Sequence, residues 1–466
     1  MLSKRTICVS FCVSLFFCNN LNGQEYGNVW DNGRLTISES GHSLQFENGE
    51  PFFYLGDTGW LLCTKLTREE VERYLENRRQ KGFTVIQMSL LHKFPPVNVY
   101  GDTACRNNDP SKPIVTEGND PDDPVQYDYW DHVDYIVATA QEKGMFVGMA
   151  PVWGNNVKNK IVDKTKAELY ARWLAERYRD KPNIIWINGG DIQGNVHQEV
   201  WNAIGTTLRQ YDSTHLITFH PYGRTQSSTW FHDSPWLDFN MFQSGHRRYD
   251  QDPKGFGEDN WKYVDIDFNK EPSKPTLDGE PSYENIPQGL HDTTQPRWTA
   301  SDVRRYAYWS ALAGACGFSY GNNAVMQFYS PSDAGKGAYG VREFWFDALD
   351  AEGAVQMSYL KKLICDNKFF ERKHDQSLLV SRNGSRYQYV IVSRGKDFLL
   401  VYTYTGNPFS IRLGNIQGDR LVASWFNPRI GVDLYIGTYK NEGVHSFTPP
   451  DEPMPGNDWV LVLKAE

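Results

Sequence analysis

From residue 52 onward, short apolar runs alternate with longer stretches in which apolar residues recur every three to four positions. The runs predict strands at Phe52–Gly56, Phe83–Met88, Met145–Pro151, Asn183–Asn188, Leu216–His220, Leu237–Phe242, Pro275–Glu280 and Gly317–Tyr320. The intervening stretches predict helices. Thr67-Arg68-Glu69-Glu70 reads as a capping box, with Val71, Tyr74 and Leu75 on the inner face of the helix it opens. Tyr127–Lys143 is a second helix, and Ala167, Tyr170, Ala171, Leu174 and Tyr178 mark one face of a third. Val196–Tyr211, Ser301–Leu312 and Gly353–Ile364 follow. Apolar strands interleaved with helices in this way predict an α/β fold, a closed (β/α)8 barrel. No Gly-rich phosphate loop opens any of the helices, which disfavours a nucleotide-binding sheet.

The pattern changes after about residue 370. Leu378–Val380, Tyr387–Val392, Phe398–Tyr404, Leu421–Trp425 and Asp458–Leu463 are short strands separated by turns such as Asn383-Gly384 and Gly406-Asn407-Pro408. They predict an antiparallel β-sandwich over residues 370–466, packed on a barrel of residues 24–369 and mainly structural. Residues 26–50 read as a short β preamble. Residues 93–126 form a long loop rich in Pro, Asp, Asn and Gly, a length that is usually functional or mobile. At the start, Lys4 and Arg5, an apolar run from Ile7 to Phe17 and Leu21-Asn22-Gly23 read as a signal peptide over residues 1–23. The run is too short for a membrane span. Export to the periplasm, the cell surface or beyond is therefore expected.

Composition narrows the function. The chain has 466 residues, of which 14% are aromatic, including 15 Trp. Most of these rings fill a large core, and the rest suit a cleft for sugars, whose C–H faces stack on rings. Losing Lys4 and Arg5 with the leader takes the net charge from -9 to -11. With no basic stripe, a nucleic-acid partner is disfavoured. Cys63, Cys105, Cys316 and Cys365 remain beyond the leader. A Cys63–Cys105 disulfide is permitted, but buried free thiols are expected for most of them. No metal-ligand spacing or nucleophile elbow is present, so neither metal nor cofactor is expected.

The candidate chemistry lies where strands end, since the C-terminal ends of barrel strands carry the active site. Strand four delivers Asn188-Gly189-Gly190-Asp191 and strand seven Asp278-Gly279-Glu280. Two carboxyl groups presented this way are what glycoside hydrolysis needs, one protonating the leaving oxygen and the other attacking the sugar or activating water. Asp191 is the candidate acid, although Gly-Gly-Asp is also good turn chemistry in which Asp caps a helix. Glu280 is the candidate nucleophile or base, with Asp278 and Glu284 as rivals. By alternation Asp278 should share a strand face with Glu280, one layer deeper. Asp57 and Trp60, after strand one, are candidates for binding sugar hydroxyls and for a platform; their alternatives are a turn cap and a core ring. Gln87, Trp153, Asn188, His220 and Gln243 complete a ring of strand-end groups, and Glu284 lies just beyond the strand-seven turn.

Three segments carry a family resemblance: Phe53-Tyr54-Leu55-Gly56-Asp57-Thr58-Gly59-Trp60, then Asn188-Gly189-Gly190-Asp191, then Asp278-Gly279-Glu280-Pro281-Ser282-Tyr283-Glu284. They resemble the barrels of glycoside hydrolase family 140. Ser424-Trp425-Phe426-Asn427-Pro428-Arg429 and Asp458-Trp459-Val460-Leu461 are similar to the collagen-binding-type domain that follows those barrels. The resemblance covers essentially all of the chain after the leader. It implies an exo-acting apiosidase that removes apiose from side chains of the plant pectin rhamnogalacturonan II, with Asp191 as acid/base and Glu280 as the strand-seven carboxylate; a monomer is expected. The larger clan ends strand four in Asn-Glu. Here Asp replaces Glu two residues later and one methylene shorter, which leaves the stereochemical outcome open. An arabinofuranosidase on the same scaffold, or an inert barrel whose sandwich binds polysaccharide or protein, are the alternatives.

Overall fold

The computed structural model describes residues 28–466, apart from Lys254 and the side chain of Phe369. The leader expected over residues 1–23 lies outside the described residues. Eight parallel strands form the central sheet: β1 (Tyr54–Thr58), β2 (Val85–Leu91), β3 (Phe146–Val152), β4 (Ile184–Ile192), β5 (Ile217–Pro221), β6 (Asn240–Gln243), β7 (Thr276–Asp278) and β8 (Gly317–Tyr320). Neighbours in chain order pair in parallel from β1 to β5 and from β6 to β8, and β8 pairs with β1. The ring closes between β5 and β6, where Thr218 Oγ1 donates to the Phe239 carbonyl at 2.7 Å and the Asp238 N–H to that of Ile217 at 2.9 Å.

Helices α1 (Arg68–Gln80), α2 (Tyr129–Glu142), α3 (Lys164–Tyr178), α4 (Gln198–Tyr211), α5 (Trp261–Phe268), α6 (Ala300–Ala313) and α7 (Glu352–Cys365) surround the sheet. Only one turn, Ser228–Phe231, stands between β5 and β6. The capping box opens α1 as expected: Thr67 Oγ1 accepts from the Glu70 N–H and the Thr67 N–H donates to Glu70, an arrangement that contributes about 1 kcal/mol. Strand alternation sorts the core into layers. Ile185 and Ile187 point inward to join Tyr54, Val85, Ala150, Met241 and Leu277, while Trp186 points outward against Tyr178. The β preamble is a three-stranded antiparallel sheet, Leu35–Ile37, Leu44–Phe46 and Pro51–Phe52. Its Phe46 and Phe52 pack on Phe146 and close the bottom of the barrel, so only the C-terminal ends of the strands remain open.

Several strand bounds shift by two or three residues from the sequence reading, as β6 begins at Asn240 rather than Leu237, and Leu378–Val380 forms the end of a helical turn and a single bridge rather than a strand; three differences lie beside the open end. β7 stops at Asp278, before Glu280. β4 continues past Asn188 to Ile192 through a bulge. A two-residue strand, Thr225–Gln226, pairs antiparallel with β6.

The C-terminal region is a six-stranded antiparallel sheet covered by a two-stranded ribbon, Phe409–Arg412 with Val444–Phe447. One face of the sheet, with Val392, Val401 and Leu461, packs on the ribbon. The other, with Ile391, Leu400, Tyr402 and Val462, shares a core with α6 and α7. Tyr308 stacks on Tyr402 at 4.9 Å, and Arg304 pairs with Asp458 at 2.8 Å with both side chains buried. Cys63, Cys105 and Cys316 are buried free thiols and Cys365 is exposed; the Cys63 thiol lies against the Ser89 carbonyl and the Tyr129 hydroxyl. Among the described residues, no helix is long and apolar enough to cross a membrane.

Candidate active site

Glu280 sits at the centre of the open end, only 7% exposed, between two histidines. His246 Nε2 lies 3.0 Å from Oε1 in a hydrogen bond. His220 Nε2 lies 3.1 Å from Oε2, close enough to pair in charge but off-line for a hydrogen bond. The backbone orients both imidazoles. His220 Nδ1 accepts from the Asp191 N–H at 3.2 Å, and His246 Nδ1 accepts from the Tyr283 N–H at 3.4 Å. With each Nδ1 used as an acceptor, a neutral ring carries its proton on Nε2, facing Glu280. Burial alone would raise the Glu280 carboxyl, but its close contacts with His220 and His246 outweigh it and hold the group well below the usual carboxylate range. Glu280 is therefore a carboxylate throughout the neutral and mildly acidic range.

Asp191 faces the same cup from β4. Its carboxyl is pushed up to about 6, first by the protein crowded around it and next by the negative charge of Glu280, against the pull of His220, His246 and the Gln243 amide. The residue is nonetheless solvent-accessible, so the crowding is partial and water reaches the carboxyl. Backbone geometry puts it there. Gly189, Gly190 and Asp191 have φ of 87°, 124° and 50°, three successive residues in or near the left-handed region. A Cβ on Gly190 would stand 2.7 Å from the Trp153 ring, and one on Gly189 2.6 Å from the His220 carbonyl. Glycine is required at both places, and Asp191, which keeps the inward parity of Ile185 and Ile187, is carried across the kink to the cup.

Aromatic rings wall the cup. Trp60 meets Trp153 edge-on at 4.8 Å and His220 at 5.1 Å, and its indole N–H donates to the Tyr283 hydroxyl at 3.2 Å. His92 packs on the far side of Trp153 at 4.8 Å. Gln87 forms the floor: it accepts from the Tyr54 hydroxyl at 3.3 Å and donates to the Gly279 carbonyl at 3.1 Å, bracing the backbone that carries Glu280. Gln243 is 3% exposed, and its main-chain carbonyl accepts from the Arg224 N–H at 2.7 Å.

Four residues singled out in the sequence face the helices instead. Asp57 is fully buried against α1, 2.7 Å from Arg78 Nε and 2.6 Å from the Tyr74 hydroxyl. The Asn188 amide donates to the Trp201 carbonyl at 2.8 Å and accepts from the Gly189 N–H at 3.0 Å, steadying the kink from behind. Asp278 is held by Ser244 at 2.8 Å and Asn260 at 2.9 Å. Burial pushes its carboxyl up to about 7 against those hydrogen bonds. It does not share a face with Glu280, because the strand ends between them and the chain turns at Gly279. Glu284 accepts from the Tyr320 hydroxyl at 2.5 Å and from the Gly353 N–H in the first turn of α7 at 3.1 Å. Asp191, Glu280, Trp60, Gln87, Trp153, His220 and Gln243 are brought together. His246, Tyr283 and His92 join them from loop positions that carry no periodic signal; nearness to a strand end was the one sequence cue they offered.

Two carboxyl groups in one cup, one ionised and one able to carry a proton near pH 6, can protonate a leaving oxygen and attack the atom it leaves. A family profile described as "Apiosidase-like, catalytic domain" matches residues 38–371. Another, described as "Putative collagen-binding domain of a collagenase", matches residues 374–464. A solved structure titled a glycoside hydrolase is 45% identical with a TM-score of 0.88, over 94% of this chain and 98% of that one. A glycoside hydrolase family 5 structure from Bacteroides vulgatus ATCC 8482 is 44% identical with a TM-score of 0.89, over 94% of this chain and 95% of that one. No curated protein sequence matches the chain.

Proposed function

The chain belongs to the apiosidase-like glycoside hydrolases, and on that premise we propose that it is an exo-acting apiosidase of glycoside hydrolase family 140, releasing apiose from rhamnogalacturonan II side chains. The observation that carries the mechanism is the opposite bias of Asp191 and Glu280. Glu280, ionised between His220 and His246, attacks the anomeric carbon of the sugar. Asp191, protonated near pH 6, donates its proton to the departing oxygen and then takes one from the water that frees the sugar. In the transition state of each step the oxocarbenium-like charge on the sugar faces Glu280, which is forming its bond to the anomeric carbon in the first step and leaving as a carboxylate in the second. A furanose ring lays its C–H face on Trp153 and Trp60. The three motif segments quoted above support apiose as the sugar.

The sandwich has one face committed to α6 and α7, which supports a structural role for it. The charged start and apolar run of residues 4–17 support export, which places the enzyme where plant cell-wall polysaccharide is met.

The test is chromatography of the sugars released from rhamnogalacturonan II side chains by wild type and Glu280→Gln, with a panel of aryl pentosides alongside. Apiose released by wild type and lost in the variant is the expected result. Arabinose in its place replaces the sugar but keeps the mechanism. No release from any substrate by folded wild type overturns the reading.

A further inference from the structure

His92 Nδ1 and Gln243 Oε1 are buried beside the cup without a hydrogen-bond partner in the protein. A buried polar atom left alone costs about 1–3 kcal/mol, and both atoms belong to side chains that are otherwise firmly placed. His92 follows the last residue of β2. Its carbonyl and that of Leu91 each accept from the Asn156 amide at 3.1 Å. Its ring lies against Trp153, whose other neighbours are Trp60 and the Gly190 kink that carries Asp191. Gln243 closes β6 with its amide near enough to the Asp191 carboxyl to favour its ionised form, and its Oε1 has no partner. The two open atoms thus flank the carboxyl pair, and Trp153 offers an apolar surface beside them.

We propose that His92 and Gln243 form a hydroxyl-reading pair that fixes the sugar ring in front of Asp191 and Glu280, and that their ligand is a small polyhydroxylated pentose. This rests on the glycosidase reading and deepens it. The open atoms need O–H partners, which a sugar supplies on its edge while its C–H face covers the indole. Burial, and next the charge of Lys93, lower the His92 imidazole to about 4 against the pull of Glu280, so the ring stays neutral while the enzyme works and reads a hydroxyl by hydrogen bonding rather than charge.

The test uses the full-length protein with His92→Phe, which keeps a ring on Trp153 but removes both nitrogens, and His92→Gln, which restores a polar atom. Gln243→Met is the second site. Turnover of aryl pentosides and quenching of tryptophan fluorescence by free D-apiose and L-arabinose are both read, on variants whose melting temperature matches wild type. His92→Phe should weaken sugar binding and kcat/KM about 10- to 100-fold, by loss of one hydrogen bond to a ligand hydroxyl, with partial recovery in His92→Gln. A His92→Phe protein that matches wild type in both readouts overturns the pair while wild-type turnover leaves the glycosidase reading standing. Wild type that binds neither sugar and cleaves no pentoside overturns both. If His92→Phe does not fold, Gln243→Met carries the same expectation: a loss supports the pair, and wild-type binding and turnover overturn it.

Discussion

The backbone N–H of Asp191 donates to Nδ1 of His220 at 3.2 Å. The kink that places one carboxyl group therefore also fixes the imidazole that faces the other. The two carboxyl groups are thus linked through His220, whose one ring nitrogen meets the Asp191 main chain and whose other faces Glu280.

Replacing His220 should shift the acid limb of activity. Burial raises Glu280 and the two histidines lower it. Without His220 the carboxyl group rises, its ionised fraction at low pH falls, and the acid limb of kcat/KM moves to higher pH. A pH profile of His220→Phe against wild type reads this, with a rate loss of about 10- to 100-fold at the optimum, the size expected when a close polar contact to a charged group is lost. An unmoved acid limb would contradict the role given to His220.

With Asp191 as the proposed acid, its titration should set the basic limb. Its carboxyl group is held up at about 6 by crowding and by the charge of Glu280, so activity that needs the protonated acid falls as pH rises through about 6. In Glu280→Gln the repulsion is gone and the Asp191 pKa should fall. A carbon-detected NMR titration of labelled aspartate in the two proteins measures the shift and its sign.

Arg78 and Asp57 form a fully buried pair on the helix side of β1. Arg78→Met leaves the Asp57 charge unpaired and should cost about 3–5 kcal/mol of stability. Because the pair lies behind the barrel wall, kcat per folded molecule should hardly change. Thermal melts and active-site titration together separate the two effects.

What the sequence disclosed followed the strand period, and what it withheld lay where that period breaks. Ile185 and Ile187 face in, so Trp186 and Asn188 face out; Leu277 faces in, so Thr276 and Asp278 face out. The same phase count puts Asp57 on the helix side with Leu55. Glu280 escapes the rule because Gly279 breaks the chain just before it, whereas Asp191 keeps the inward parity of Ile185 and Ile187 across the Gly189-Gly190 kink. The glycines were visible as turn chemistry, and the direction of each turn was not, since it depends on contacts with Trp153, His220 and Met241 from other parts of the chain. His246 and Tyr283 were hidden for a related reason: they reach Glu280 through loops whose course is set by tertiary packing, not by periodicity.

The central claim is the division of labour between the two carboxyl groups, and the direct measurement is kcat/KM for a series of aryl glycosides with leaving phenols of graded pKa. For Asp191→Asn the account predicts a loss of about 10²- to 10⁴-fold with poor leaving groups, shrinking steeply towards acidic phenols that need no proton. For Glu280→Gln it predicts an equally deep loss across the whole series. An Asp191→Asn protein whose loss is independent of the leaving group, or a Glu280→Gln protein that turns over near the wild-type rate, would contradict it.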